Sequence, residues 1–169
     1  DGAIYVGTGE GFYGQMFAAQ SNRKTGLMGN GVYKITLGNS NWAEGLSTDE
    51  EKYAYVLENF NSVVINGTQP EKYNLEHEFA YVNDLAFVND KLYIATMFGG
   101  LKIWDGSTLS NTTINGNVSV NVTDIKANNS GKIAVAFDGG QGFEVALNTS
   151  DNTFSSVNFS TKGANDKYG

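Results

Sequence analysis

The sequence predicts an all-β protein built from a repeated unit of antiparallel strands. Val82-Asn83-Asp84-Leu85, followed by Lys91-Leu92-Tyr93-Ile94-Ala95, returns about 40 residues later as Val122-Thr123-Asp124-Ile125, followed by Lys132-Ile133-Ala134-Val135-Ala136. The composition agrees, since the chain of 169 residues has 21 glycines and one proline. Its apolar segments are short runs of Val, Ile, Leu, Tyr and Phe between clusters of Gly, Asn, Asp and Ser, as in strands joined by turns.

Each unit continues into a third and a weaker fourth strand. Glycine pairs, Gly99-Gly100 and Gly139-Gly140, follow the second strand. The third apolar runs are Leu101-Lys102-Ile103-Trp104 and Phe143-Glu144-Val145-Ala146, related by about 42 residues, and a fourth segment spans 153–159. Four strands in a repeat of about 40 residues are typical of a β-propeller blade, a four-stranded antiparallel sheet. The second strands, 92–97 and 133–137, are almost continuously apolar, which predicts sheets covered on both faces.

A third copy of the unit opens the chain. Ile4-Tyr5-Val6-Gly7-Thr8 matches Leu92-Tyr93-Ile94-Ala95-Thr96, and Gly31-Val32-Tyr33-Lys34-Ile35 matches the run that begins at Gly100. We therefore assign residues 1–169 to part of a single β-propeller domain, with units at about 1–78, 79–117 and 118–160. Because closed propellers have about four to eight blades, we expect either a partial propeller from a longer chain or an assembly of several chains.

Two insertions interrupt the first unit, at residues 11–30 and at about 39–78. The second contains a helix signal: Thr48 as N-cap, Glu51 as its capping-box partner, and an apolar face of Tyr53, Val56, Leu57 and Phe60. We predict one short helix packed against a blade. The alternative is an outer strand over 53–57, because short apolar runs are ambiguous.

Charge and composition exclude several classes of function. A net charge of -7 without a basic cluster argues against nucleic acid and anionic lipid. The sequence contains no apolar run of the length that spans a membrane, about 18 residues. The absence of cysteine excludes disulfides and thiolate sites but fits several compartments.

Asn-X-Ser/Thr sequons favour an extracellular, cell-surface or periplasmic location. They are more frequent than random placement gives, and they begin at Asn66, Asn111, Asn117, Asn121, Asn128, Asn148 and Asn158. These asparagines are candidate glycosylation sites. The alternative is that Asn, Ser and Thr are simply concentrated in turns.

The segment from Lys91 to Thr108, KLYIATMFGGLKIWDGST, resembles the repeat of the two-component-regulator type of β-propeller, W-I-G-T-x-x-G-G-L-x-x-x-D-G-x-T. The opening segment IYVGTGEG is similar to it and to sortilin and BNR-like propellers. Ala95 and Ala136 stand where that repeat has glycine. The resemblance covers roughly half the chain. The resemblance implies one of the roles seen in such propellers, namely a sensor ectodomain that detects glycans, a secreted binding module, a surface adhesin or a glycoside hydrolase. It also implies that the loop between the second and third strands lies on the ligand-binding face.

That resemblance makes the insertion at residues 11–30 the first candidate site. Aromatic rings there can stack on sugars, so we take the candidate ligand-binding residues as Glu10, Phe12, Tyr13, Phe17 and Arg23. The alternative is that the aromatic residues form a small core of the insertion itself.

Carboxylates at strand ends are the candidates for catalysis, namely Glu10, Asp84, Asp124 and Asp138. Asp84 and Asp124 recur at the same place in successive units, which favours a backbone-capping role over catalysis. His77, the one histidine, lies on a predicted strand. We assign no catalytic residue and expect neither a cofactor nor a metal site.

We therefore predict a non-enzymatic extracellular module for binding, adhesion or structural assembly. Its partner is a glycan, a protein or the remaining blades of a longer chain. The alternatives are a glycan-cleaving enzyme, a sensor ectodomain, or a self-assembling subunit of a surface layer or filament.

Overall fold

A computed structural model describes residues 2–9, 28–38, 41–71, 74–139 and 142–157 of the chain. Within these ranges the protein is mostly β, with three sheets and one helix. The predicted fold class is confirmed at this level: the ladders are antiparallel, except for one short parallel pairing.

Sheets I and II are antiparallel meanders. Sheet I has the order β1-β2-β3, formed by β1 (Ile4–Gly7), β2 (Val32–Thr36) and β3 (Asn61–Val64), with helix α1 (Asp49–Asn59) between β2 and β3. Sheet II has four strands in sequence order, β4 (Val82–Val88), β5 (Lys91–Thr96), β6 (Leu101–Trp104) and β7 (Leu109–Asn111).

Sheet III repeats the four-strand meander and adds a fifth strand. Its meander is β9 (Asn121–Ala127), β10 (Ile133–Asp138), β11 (Phe143–Ser150) and β12 (Thr153–Ser156). The short β8 (Thr113–Ile114), which precedes β9 in the chain, pairs with β12 in parallel. The linker between sheets II and III therefore also closes the far edge of sheet III.

The same pair of hydrogen bonds joins the ends of the connection after the second strand in the first two units. The Thr96 hydroxyl donates to the carbonyl oxygen of Gly100 over 2.8 Å, and the Thr8 hydroxyl donates to that of Gly31 over 2.6 Å. Each hydroxyl also accepts a hydrogen bond from the N–H of the residue before that glycine. The match between the opening segment and the second unit is therefore structural as well as sequential.

The third strands are related by a different register from the one the sequence suggested. Leu101 lies opposite Ala95, whereas Val145 lies opposite Ala136, so Leu101 corresponds to Val145 and not to Phe143. The connection between β10 and β11 is three residues longer than that between β5 and β6, whereas the sequence alignment allowed one, so the third strand is shifted by two residues. An even shift keeps each side chain on the same face of the sheet, so the face assignments survive.

The hydrophobic core fills the spaces between neighbouring sheets. Leu92 and Ile94 of β5 pack toward sheet I with Val32, and the intervening Tyr93 and Ala95 pack toward sheet III. Sheet II is therefore covered on both faces, as its sequence predicted.

Strand β10 differs from that expectation. Ile133, Val135 and Phe137 are buried against sheet II, but Ala134 and Ala136 on the other face are half-buried. Strand β10 therefore has apolar side chains on both faces, but the described residues cover the second face only in part.

The helix prediction is correct in its position and wrong in its packing. The Thr48 hydroxyl accepts from Glu51 N over 3.1 Å, and the Glu51 carboxylate accepts from Thr48 N over 3.0 Å, which completes the capping box. No residue of α1 is buried, however, and Tyr53 and Leu57 of the predicted apolar face are exposed. Contact with the rest of the chain instead includes Tyr55, whose hydroxyl donates to the carbonyl oxygen of Leu37 over 3.4 Å.

His77 lies in a turn and not on the strand that the sequence suggested. Its Nδ1 accepts a hydrogen bond from the backbone N–H of Phe79 over 3.1 Å, and the half-buried ring lies 6.2 Å from that of Phe79. A local side-chain-to-backbone bond of this kind competes with strand pairing. The histidine therefore helps to direct the fully buried Phe79 into the core.

Candidate functional site

The site residues chosen from sequence, Glu10, Phe12, Tyr13, Phe17 and Arg23, lie outside the described residues. Their role in binding stays a prediction. Two concave surfaces are formed by described residues, and each has a chemistry of its own.

The first surface is a groove where sheet I meets sheet II, here called the aromatic groove. It encloses about 190 Å³ and is lined by Tyr5, Lys34, Phe87, Asp90, Trp104, Asp105 and Gly106. This volume is below the roughly 300 Å³ at which pockets for drug-sized ligands begin. The groove is therefore suited to one small ring or to a single unit of a polymer.

Two stacked rings form the wall of the aromatic groove. Tyr5 of β1 and Phe87 of β4 have ring centroids 6.0 Å apart and planes inclined by 14°. Tyr5 packs at the margin of the core between sheets I and II, whereas the side chain of Phe87 is 56% exposed. A large aromatic ring that is half solvated beside a concavity is a contact surface available to a ligand.

Turn chemistry fixes the rim of the aromatic groove. Asn89 and Asp90 have φ values of 50° and 60°, which is the backbone of a tight two-residue hairpin between β4 and β5. Asp105 follows β6, and its Oδ1 accepts from the backbone N–H of Thr108 over 2.7 Å and of Ser107 over 2.9 Å. Both acidic residues of the groove thus sit in ordered turns.

The groove carries charges of both signs. The hydrogen bonds from Thr108 and then Ser107 lower the pKa of Asp105 below its usual value, so this carboxylate is ionised at neutral pH. Lys34 Nζ lies 5.9 Å from the centroid of the Tyr5 ring, within the range of a cation–π contact. An apolar ring face is therefore flanked by hydrogen-bond acceptors and by an ammonium donor.

The second surface is the polar cleft at the edge of sheet III. It encloses about 470 Å³ and is lined by Ile114, Asn115, Asn117, Ser119, Val120, Asn121, Phe137, Asp138, Gly139 and Glu144. Glu144 accepts a hydrogen bond from the Ser156 hydroxyl over 2.9 Å. The cleft brings Asp138, one of the carboxylates chosen from sequence, to the same surface as Glu144, which sequence reasoning did not select.

The two repeated aspartates have structural partners. Asp84 accepts from the backbone N–H of Ile125 in the neighbouring sheet over 2.8 Å, and Asp124 accepts from the ammonium of Lys126. The capping role inferred from repetition is therefore observed for Asp84.

The sequon asparagines divide by their surroundings. Of those described, Asn66, Asn111, Asn117 and Asn128 are exposed, Asn121 and Asn148 are half-buried, and Asn158 lies outside the described residues. Asn148 donates to the carbonyl oxygen of Gly131 over 3.3 Å and accepts from Ile133 N over 3.0 Å. Asn128 accepts three hydrogen bonds within the turn between β9 and β10. These two asparagines thus support a turn, and glycosylation of the sequons stays a prediction.

No protein-family model matches this sequence, and no curated protein and no solved structure matches it. The described residues contain no group of three or more His, Cys, Asp or Glu side chains placed to hold a metal ion. Within the same ranges, none of the helices has the length and apolarity needed to cross a membrane.

Proposed function

We propose that this chain is an extracellular or cell-surface propeller module that binds a neutral glycan in the aromatic groove. The meander of sheet II and its recurrence in β9 to β12, each with its first strand beside the neighbouring sheet, support the interpretation of the sheets as propeller blades. The observation that carries the binding proposal is the Tyr5–Phe87 stack, with Phe87 exposed beside Asp105.

The chemistry of the groove matches that of a sugar. A pyranose presents a flat face of C–H groups and a rim of hydroxyls, so it stacks on an aromatic ring while its hydroxyls donate to carboxylates. Asp90 and Asp105 supply acceptors, and Lys34 supplies a donor. The net charge of -7 repels acidic polysaccharides, which favours a neutral one.

The test is titration calorimetry with neutral oligosaccharides chosen from a glycan array. Phe87→Ala removes the stacking surface and is expected to weaken binding at least about tenfold, equivalent to about 1.4 kcal/mol. Asp105→Asn removes the charge and is expected to weaken binding less. Phe60→Ala is the matched control, because Phe60 is 49% exposed and lies at the end of α1, outside the groove. Equal affinities for the Phe87 and Phe60 variants would remove the groove from the proposal.

A glycan-cleaving enzyme is the second candidate, and the polar cleft favours it. Glycosidases use two carboxyl groups on one concave surface, and Asp138 and Glu144 both line this cleft. Polysaccharide breakdown that is abolished by Glu144→Gln, or by Glu10→Gln, would move the function to this class. Absence of reducing-sugar release from any polysaccharide that the chain binds would leave the binding module as the function.

A further inference from the structure

Sheets I and III each have an outer face, directed away from sheet II. In β1, Tyr5 stacks on Phe87, and a Cβ at Gly7 would lie 2.4 Å from Cγ1 of Val82, so these positions face sheet II. Ile4 and Val6 alternate with them and define the outer face of sheet I.

The outer face of sheet III follows from the same alternation. Ile133, Val135 and Phe137 pack on sheet II, and the intervening positions of β10 point the other way. Strand pairing adds the residues of β11 opposite them, so the face comprises Ala134, Ala136, Val145 and Leu147. It is an apolar surface in the middle of a four-stranded meander.

The repeat shows what covers such a face in the interior of this chain. The register of the strands makes Ile103 of sheet II the equivalent of Leu147. Ile103 is 3% exposed because sheet III packs on it, whereas Leu147 is 40% exposed. The outer face of sheet III is thus one half of a sheet-to-sheet junction.

The outer face of sheet I is the other half. Ile4 and Val6 correspond to Leu92 and Ile94 of sheet II, which are 2% and 0% exposed because sheet I packs on them. Ile4 and Val6 are 55% and 39% exposed. The outer face of sheet III therefore has the apolar side chains with which a sheet packs on the sheet that follows it in the chain. The outer face of sheet I has the side chains with which a sheet packs on the sheet that precedes it.

We infer that a second copy of this chain joins these ends, with the outer face of sheet III in one copy packed on the outer face of sheet I in the next. The outer face of sheet I and the outer face of sheet III are complementary, and both belong to the same chain. The chain already forms this type of junction twice, between sheets I and II and between sheets II and III. The exposed Lys126 lies at the border of the sheet III face, where it pairs with Asp124. The ion pair can therefore stay solvated at the rim.

Such a contact is head-to-tail, because two different surfaces meet. Contacts of this class close into rings when the rotation between copies allows it and extend into filaments otherwise. The inference is independent of glycan binding, since neither outer face includes a residue of the aromatic groove.

Analytical ultracentrifugation over a range of concentrations tests this contact. Two variants are compared with the unaltered chain, and each has a lysine introduced on one of the two outer faces. Val6→Lys and Leu147→Lys place an ammonium in the junction, and each is expected to weaken self-association at least about tenfold. Leu57→Lys is the matched control, because Leu57 is 65% exposed on α1 and lies on neither face. It should associate like the unaltered chain.

Mixing the two variants gives the decisive measurement. Each retains one intact face, so neither self-associates, but an equimolar mixture is expected to form a dimer that stops at two copies. Formation of this dimer also shows that both variants are folded. A chain that is monomeric at millimolar concentration, or variants that associate as the unaltered chain does, would overturn the inference, as would a mixture that stays monomeric.

Discussion

The carboxylate of Asp84 in β4 accepts a hydrogen bond from the backbone N–H of Ile125 in β9 over 2.8 Å and so joins sheets II and III. The same carboxylate accepts from Leu85 N over 2.8 Å. Asp124 holds the equivalent position one unit later, where its described partners include Lys126. Lys126 also donates to Asp84 over 3.3 Å, so one ammonium contacts both aspartates, and the bond to the backbone of the next sheet is the contact described for Asp84.

Asp84→Ala is expected to destabilise the fold by about 2–3 kcal/mol, because the N–H of the buried Ile125 loses its acceptor. Asp151→Ala is the matched control and is expected to cost less than about 1 kcal/mol, because Asp151 forms an exposed ion pair with Lys91 away from this contact. Urea unfolding of both variants measures the difference. Equal losses would mean that the contact between sheets does not depend on Asp84.

The contribution of Asp84 is expected to depend on pH. Burial by itself raises the pKa of this carboxyl, but hydrogen bonds from the backbone N–H groups of Ile125 and Leu85 and from the Lys126 ammonium outweigh burial, and the pKa lies below its usual value. A lowered pKa in the folded state means that the stabilisation is complete above the unfolded-state pKa of about 3.9 and is lost as the pH falls through the folded-state pKa. The stability gap between the unaltered chain and Asp84→Ala should be constant from about pH 5 to 7 and should shrink below about pH 4.

Gly100→Ala is expected to be among the most damaging single-methyl additions. Gly100 has a φ of 76°, and a Cβ there would lie 2.1 Å from the carbonyl oxygen of Val118. Gly116 has a φ of 80° with no atom within 4 Å of its added Cβ, so Gly116→Ala reports the backbone strain alone, about 1–2 kcal/mol. Thermal unfolding should show a loss at Gly100 larger by at least about 1 kcal/mol, the low end of the usual cost of overpacking.

Phe154→Ala and Phe87→Ala are expected to distinguish a residue that stabilises the core from one that binds ligand at the candidate site. Phe154 is fully buried, and its ring meets that of Tyr93 edge-on at 6.5 Å, so truncation leaves a cavity that costs about 3–5 kcal/mol. Phe87 is on the surface, and its loss is expected to cost less than about 1 kcal/mol while glycan binding falls. A large loss of stability in Phe87→Ala would assign that ring to packing.

Thr48→Ala is expected to unwind α1 without unfolding the sheets. The substitution removes the acceptor for Glu51 N and costs the helix about 1 kcal/mol, and no residue of α1 is buried in the core. Circular dichroism at 222 nm should weaken while the thermal midpoint of the β signal stays constant. Glu50→Gln, in the same turn but outside the capping box, is the control.

The sequence by itself determined the local structure. Alternating apolar residues, turn residues such as Asn89-Asp90 and the capping pair Thr48 and Glu51 act over a few residues, so their pattern is sufficient to predict strands, hairpins and the helix. The repeat added that Asp84 and Asp124 have equivalent positions, and repetition favoured backbone capping over catalysis.

The tertiary structure decided which side chains are covered. Ile94 and Val6 match in sequence, yet one is buried and the other exposed, because burial depends on whether another sheet lies on that face. The longer connection before β11, which shifts the register of that strand, is also not predicted by any local pattern.

The aromatic groove depends on the tertiary structure in the same way. Tyr5 and Phe87 are about 80 residues apart in the chain and belong to different sheets, and no periodicity relates their positions. They meet because the backbone of Thr8 accepts from Val82 N over 3.1 Å and holds β1 beside β4. Strand identity is local in sequence, but the contact between two sheets is not, and the candidate site lies at that contact.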